Sequence, residues 1–205
     1  MLAALVFFAW LSEEVIEGHT AQFDQDVRAW VHERSAPPLT SAMRAFTLLG
    51  SPLVLWLLVV LVFFLFWKTN WRHEAWFFGI AMLGALALDV GLKLGFQRPR
   101  PAPFFGIALP HSYSYPSGHA LYSLCFYGII ASLTTLHLQH AWARCLVWLA
   151  AALLAGLIGY SRIYLGVHYP SDVIAGYSVA LIWVISLSAA SRLRRNQKQR
   201  GAGDG

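Results

Sequence analysis

The chain has 205 residues, of which 58% are hydrophobic and only 12% charged, with a mean hydropathy of +0.54. Soluble domains carry roughly twice that charged fraction, about 25%, so a soluble globular protein is excluded and an integral membrane protein is expected. The formal net charge of +5 does not imply nucleic acid as a partner. Much of the basic excess sits in the tail SRLRRNQKQR, Ser191 to Arg200, directly after an apolar helix, where a positive-inside anchor beside anionic lipid accounts for it. Cys125 and Cys145 lie in or next to apolar runs without CxxC spacing. Neither a disulfide framework nor a zinc site is indicated, and both are expected to be small buried hydrophobes.

Met1 to Trp10 is apolar but too short to cross a bilayer, which takes about 20 residues. It has no basic n-region and no small-residue cleavage site, so it reads as the clipped end of a first transmembrane helix. Ser12 to Ser41 is more polar, with Glu13, Glu14, Glu17, Asp24, Asp26 and Glu33, and places Phe23, Val27, Trp30 and Val31 at helical spacing. That pattern predicts an amphipathic interfacial helix, ended by Pro37 and Pro38. Full spans are expected over Ala42 to Trp67, Glu74 to Leu92, Ser117 to Leu136, Cys145 to Gly159 or Tyr160, and Val173 to Ala190. The expectation is an all-α polytopic membrane helix bundle forming one domain over residues 1–205. Residues 1–41 would form a partial first helix and an interfacial helix, 42–190 five spans carrying the site, and 191–205 a basic cytoplasmic tail.

Alternation puts the basic link Lys68 to His73, the link containing Arg144, and the tail on one face, which positive-inside makes cytoplasmic. Two other segments, Lys93 to Pro116 and Ser161 to Asp172, fall on the opposite, exterior face. They carry Lys93, Arg98, Arg100 and Arg162, bases that the charge rule does not explain. The first is Pro-rich and aperiodic, and irregular backbone at that position must lie outside the hydrocarbon or line a protein cavity. Asp89, buried near the end of its span, is costly unless partnered, and an active-site lysine or arginine is one candidate partner.

If these segments converge, Lys93, Arg100 and Arg162 bring three cations to one membrane surface, and Ser117, Gly118 and His119 open a helix beside them. Helix N-termini present unpaired N–H groups, and Gly118 lets an anion approach them. Such a cage suits a multiply charged phosphate. His168 and Asp172 stand four apart at a helix start, so the carboxylate can hold one ring nitrogen and leave the other free to attack phosphorus. His119, without an adjacent carboxylate, could protonate the leaving oxygen and later activate water. The cations supply the charge stabilisation that a metal gives elsewhere, and no metal-ligand spacing is visible, so neither metal nor cofactor is expected. Arg98 and Pro99 read as spacers, with contact to a second phosphate or headgroup the alternative for Arg98. His111, Tyr113 and Tyr115 could shape headgroup access or be ordinary interfacial aromatics, and Tyr164 and Tyr169 are similar. His137 and His140 belong to the opposite face.

Lys93 to Pro101 reads K-x6-RP, Pro116 to His119 reads PSGH, and Ser161 to Asp172 reads SR-x5-H-x3-D. Together these resemble the three-part signature of the type 2 phosphatidic acid phosphatase superfamily, over roughly Asp24 to Ala190. The resemblance implies a six-helix core, here with a shortened first helix, and a metal-independent lipid phosphatase acting at the outer leaflet of a bacterial inner membrane. It implies phosphate binding by Lys93, Arg100, Ser117, Gly118 and Arg162, general acid catalysis by His119, and attack by His168 supported by Asp172. The implied substrate is a lipid phosphate or diphosphate among membrane lipids: undecaprenyl pyrophosphate, phosphatidylglycerophosphate, phosphatidic acid or a lipid A phosphate. The alternatives are a lipid phosphotransferase using the same site and a non-enzymatic lipid-binding membrane protein.

Overall fold

The computed structural model describes residues 1–69 and 71–203, with side chains as far as Ser191. The basic side chains expected to anchor the tail beyond Ser191 lie outside the described residues. The described residues form eight helices: α1 (Leu2–Ile16), α2 (Ala21–Glu33), α3 (Pro37–Leu49), α4 (Pro52–Lys68), α5 (Arg72–Phe96), α6 (Gly118–Thr135), α7 (Ala141–Tyr164) and α8 (Pro170–Gly203). By length and apolarity α5, α7 and the first 22 residues of α8 can each cross a membrane, and the bent pair α3–α4 makes a fourth crossing when taken as one span.

Three boundaries differ from the expectation. The interfacial helix predicted over Ser12 to Ser41 is divided among α1, α2 and the start of α3. Pro37 and Pro38 open α3 instead of simply closing α2, because the first helical positions need no N–H. The span predicted from Ala42 is broken at Gly50–Ser51, and α3 meets α4 at 44°. Ser51 accepts from Val54 N at 3.4 Å as the new N-cap and Pro52 starts α4, a local stop-and-restart inside a continuous apolar run. Gly50 at this break lies so close to α7 that a Cβ would collide with Ile158 and stand 3.3 Å from the ring of His119.

Of the five expected full spans, α6 does not meet the length-and-apolarity measure. It is the enclosed helix of the bundle, with nine of its 18 residues buried, and it packs against α4, α5, α7 and α8. Its core partners include Leu55, Phe78, Met82 and Val179. Leu53, Leu57, Leu61 and Leu83 are exposed on α4 and α5, as a lipid-facing surface requires. Cys125 is buried, but Cys145 is exposed on the outer surface of α7, so only one of the two thiols is a core hydrophobe. At about 1.5 Å per residue, α1 is roughly 22 Å long, short of the hydrocarbon thickness of about 30 Å. It packs on α8, and its Ser12 hydroxyl meets Tyr115 Oη at 2.8 Å.

The C-terminal ends of α5 and α7 and the N-terminal ends of α6 and α8 share one end of the bundle. At the other end His137, in the α6–α7 link, stacks on Trp71 of the α4–α5 link with centroids 4.5 Å apart. Two contacts clamp the site end: Ser117 N donates to Asp172 O at 2.9 Å and Ser114 N to Arg98 O at 2.9 Å. Gly176 of α8 permits the first, since a Cβ there would press on the carbonyl of Ser117 and lie 3.1 Å from Ala120 Cβ. Gly176→Ala should overpack this joint by about 1–3 kcal/mol. A lowered thermal midpoint in detergent, with activity reduced at temperatures where the protein is still folded, would show it.

Candidate active site

The stretch before α8 turns sharply at Gly166 (φ +74°), where a Cβ would run into the backbone nitrogen of Phe104. Phe104 N donates to Leu165 O at 3.0 Å, so the α5–α6 loop is pinned against this turn. The turn delivers His168, 1% exposed, above the first turn of α8, which carries the fully buried Asp172. Asp172 Oδ2 accepts from Tyr169 N at 2.9 Å and faces His168 Nδ1 at 3.2 Å and Ser114 Oγ at 2.5 Å, while Oδ1 accepts from Arg98 at 2.6 Å.

The tautomer of His168 follows from its neighbours. Arg100 Nη1 lies 2.9 Å from His168 Nε2, and a guanidinium can only donate. Nε2 therefore carries the lone pair, and the ring proton sits on Nδ1, directed at Asp172. Burial, with Arg100 and Arg162 adding to it against the pull of Asp172, pushes the His168 pKa down to about 3. The ring is neutral at physiological pH.

The cations are held on different supports. Lys93 and Arg162, expected in loops, lie in the last turns of α5 and α7, where the negative end of the helix dipole favours positive charge. Lys93 Nζ donates to Asp89 Oδ1 at 2.5 Å, and Tyr122 donates to the other oxygen of Asp89 at 2.9 Å. Asp89 thus has the lysine partner foreseen as one candidate. Arg162 donates from Nη1 to Thr47 Oγ1 at 2.6 Å, while its Nε is buried with no partner among the described residues. Arg100 uses all five N–H groups on Ser112 O, Ser112 Oγ, Tyr113 O, Val167 O and His168 Nε2.

A cavity of about 600 Å³ joins these groups. Its lining includes Lys93, Arg100, Arg162, Gly118, His119 and His168, with Asp89, Tyr122, His111 and Tyr113, and an apolar wall of Trp56, Leu86, Val90 and Leu94 from α4 and α5. Ser117 is the N-cap of α6, yet its hydroxyl caps nothing and is buried with no partner among the described residues. The Cβ missing at Gly118 would sit 2.9 Å from Asp89 and 3.1 Å from Lys93 Nζ, so glycine keeps room between α6 and the cation. An oxyanion at this helix start would meet free backbone N–H groups, a free hydroxyl and nearby cations.

Every residue singled out in the three motifs lies in this cluster, six on the cavity and Ser117 and Asp172 behind it. Tyr115, read as an interfacial aromatic or a residue shaping headgroup access, is instead fully buried against α1, and burial raises its pKa to about 12. Arg98 is not a spacer. Its guanidinium spans Asp24 and Asp172, at 2.8 and 2.6 Å, and lies 4.2 Å from the centre of the Tyr169 ring. Burial opposes its charge, but Asp172 and Asp24 hold its pKa above the ordinary arginine value. Ser114, Ser171 and Asp24 escaped sequence reasoning. For Asp24 a signal existed: it shares the i, i+3, i+7 stripe of α2 with Val27 and the buried Val31, a costly place for an acid without a partner.

Bundle and cluster together are those of a membrane-embedded lipid phosphatase. The family model described as the PAP2 superfamily matches residues 74–196, from α5 into α8, and the chain belongs to that superfamily. It is 33% identical over 153 residues to phosphatidylglycerophosphatase B of Bacillus subtilis, covering 71% of this chain and 72% of that one. With the undecaprenyl-diphosphatase of Sulfolobus acidocaldarius it shares 42% identity over 79 residues, 38% of this chain and 34% of the other. The crystal structure of a transmembrane PAP2-type phosphatidylglycerolphosphate phosphatase from Bacillus subtilis superposes with a TM-score of 0.83 at 27% identity, covering 93% of this chain and 95% of that one.

Because its pKa is depressed, His168 stays deprotonated at Nε2 until the pH falls toward about 3. In the unliganded protein, ¹⁵N spectra of labelled histidine should show a neutral Nδ1–H tautomer for His168 from pH 5 to 8. An imidazolium pattern at pH 5.5 would contradict this electrostatic account.

Proposed function

We propose that the protein hydrolyses a lipid phosphate through a phosphohistidine on His168, without a metal, at the exterior end of the bundle. The observation that carries this is the neutral His168, fixed through Nδ1 by Asp172 and presenting Nε2 to a cavity ringed by cations. Lys93, Arg100, Arg162, Ser117 and the backbone N–H groups at Gly118 receive the non-bridging phosphoryl oxygens. Arg100 shifts from Nε2 to the phosphate and frees the lone pair. Nε2 then attacks phosphorus in line, the P–O bond to the lipid breaks, and His119, protonated once the phosphate charge offsets the cations around it, gives that proton to the departing oxygen. The phosphorylated ring keeps its Nδ1 proton and becomes cationic, and Asp172 balances that charge. Water attacks next, His119 takes its proton, the N–P bond breaks, and inorganic phosphate leaves with His168 restored. The donor set favours an oxyanion over a divalent cation, since three fixed cations would repel a metal.

The wall of Trp56, Leu86, Val90 and Leu94 between α4 and α5 gives an apolar chain a way out of the cavity toward lipid. Relatives with the broadest coverage point to phosphatidylglycerophosphate as the first substrate to test. Undecaprenyl diphosphate is the second, on the shorter and more identical alignment. The basic links at Lys68–His73 and Arg144 lie at the opposite end from the site, which supports a site facing outward from the cytoplasmic membrane. We assign residues 1–205 to one domain and the tail to the cytoplasmic side on the same ground.

Phosphate release from both lipids should persist in EDTA and vanish in His168→Ala. Loss of activity in EDTA, or its survival in His168→Ala, would overturn the mechanism. Asp172→Asn should lower kcat by about 10²–10⁴-fold while leaving substrate binding largely intact. Trapping of labelled phosphate on His168 after an alkaline denaturing quench, in which a phosphoramidate survives, tests the intermediate directly.

A further inference from the structure

The mechanism above gives no part to Asp24, Ser171 or Arg98, although they form a closed set of bonds directly behind Asp172. Asp24 is fully buried in the first turn of α2. Its Oδ1 accepts from Ser171 N at 2.9 Å, and its Oδ2 accepts from Ser171 Oγ at 2.6 Å and Arg98 Nη2 at 2.8 Å. Arg98 Nη1 donates to Ser171 Oγ at 2.8 Å and Asp172 Oδ1 at 2.6 Å. One guanidinium thus joins two buried carboxylates, and only Asp172 touches His168.

The charge count gives this arrangement a purpose. Facing Asp172 alone, Arg98 would cancel the carboxylate that must balance the His168 ring once it carries phosphate and turns cationic. A second carboxylate on the same guanidinium leaves the group with a net negative charge, directed at the ring. Arg28, one turn after Asp24, reduces this excess without cancelling it: it feels both carboxylates, but it is partly exposed and donates to the carbonyls of Ala102 and Gly166 instead of bonding either of them. Asp24 also caps the start of α8 through Ser171 N and so fixes the helix turn that carries Asp172.

We propose that Asp24, delivered by α2, is a positioning residue of the phosphatase reaction: it holds Arg98 and the start of α8, and its charge keeps Asp172 an effective partner for phosphorylated His168. This rests on His168 being the nucleophile.

The test uses the full chain in detergent, normalised to monodisperse protein, with phosphatidylglycerophosphate or undecaprenyl diphosphate, whichever the wild type hydrolyses. Asp24→Asn should lower kcat by about 10- to 100-fold with KM within about threefold, as removal of a residue that supports a catalytic group does. Asp24→Glu, which keeps the charge, should recover part of that loss. Adding Arg98→Gln to Asp24→Asn should raise kcat above that of Asp24→Asn alone, because the uncompensated cation no longer neutralises Asp172. A merely structural role predicts the reverse, a further loss on removing another buried group. Wild-type kcat in Asp24→Asn, or a double variant no faster than the single, overturns the inference. If Asp24→Asn yields no folded protein, the double variant stands in for it: measurable turnover supports charge balance, and folded inactive protein overturns it. His168→Ala run alongside separates the two proposals. Its continued activity sinks the phosphohistidine mechanism, whereas its inactivity beside a normal Asp24→Asn sinks only the role of Asp24.

Discussion

A cation removed from water must be met by compensating groups, and four cations, three lining this cavity and Arg98 behind it, are met in four ways. Lys93 has a carboxylate one turn back on its own helix. Arg98 has two carboxylates, one from α2 and one from α8. Arg100 has carbonyls, a hydroxyl and an imidazole on two loops, and Arg162 has a threonine hydroxyl on α3. Each support fixes an element: α2 must dock where Asp24 reaches Arg98, and α3 where Thr47 reaches Arg162. The bend at Gly50–Ser51 belongs to the same requirement, since it lets α3 lean onto α7 while α4 continues along α5. The bundle is arranged so that positive charge can be concentrated with most of it compensated, Arg162 being the least completely met.

Two features of the candidate site were legible because local geometry determines them. His168 and Asp172 lie four apart at a helix start, and this spacing brings the carboxylate under the ring. The pairing of the two site segments followed from counting spans, which places alternate links on opposite faces. What escaped was whatever depends on an element outside the motifs. Asp24 looked like one acid among several in a polar segment, because its partner is 74 residues away. Arg98 read as filler between motif positions for the same reason. The break before Pro52 was hidden by hydropathy, which runs unchanged across it and carries no information about direction. Pro37 and Pro38 are ambiguous by nature, since proline ends one helix and begins another for the same lack of an N–H.

The mixed lining of the cavity separates two kinds of recognition. The end proposed to take the phosphate is built from charges held by the bonds described above. The wall from α4 and α5 is apolar and shaped by Trp56 and aliphatic side chains, which suit a chain without specifying one. Relatives whose names refer to a glycerophospholipid and to a polyprenyl carrier are consistent with such a division. Chemistry and substrate choice can then change independently within one scaffold.

The saturation of Arg100 has a further consequence. With every N–H group already bonded within the protein, the empty site offers this arginine to no passing anion, and the lone pair of His168 is covered at the same time. On the proposed mechanism a phosphate must displace these bonds before chemistry begins. Inorganic phosphate has only the contacts of its oxygens to offset that cost, whereas a lipid adds the burial of its chain, so binding energy remote from phosphorus helps open the latch. After hydrolysis the chain departs, the offset disappears, and closure of Arg100 onto its carbonyls helps expel the product. On the proposed mechanism, then, the same bonds that must open for the substrate weaken the hold on its own phosphate, without any separate gate.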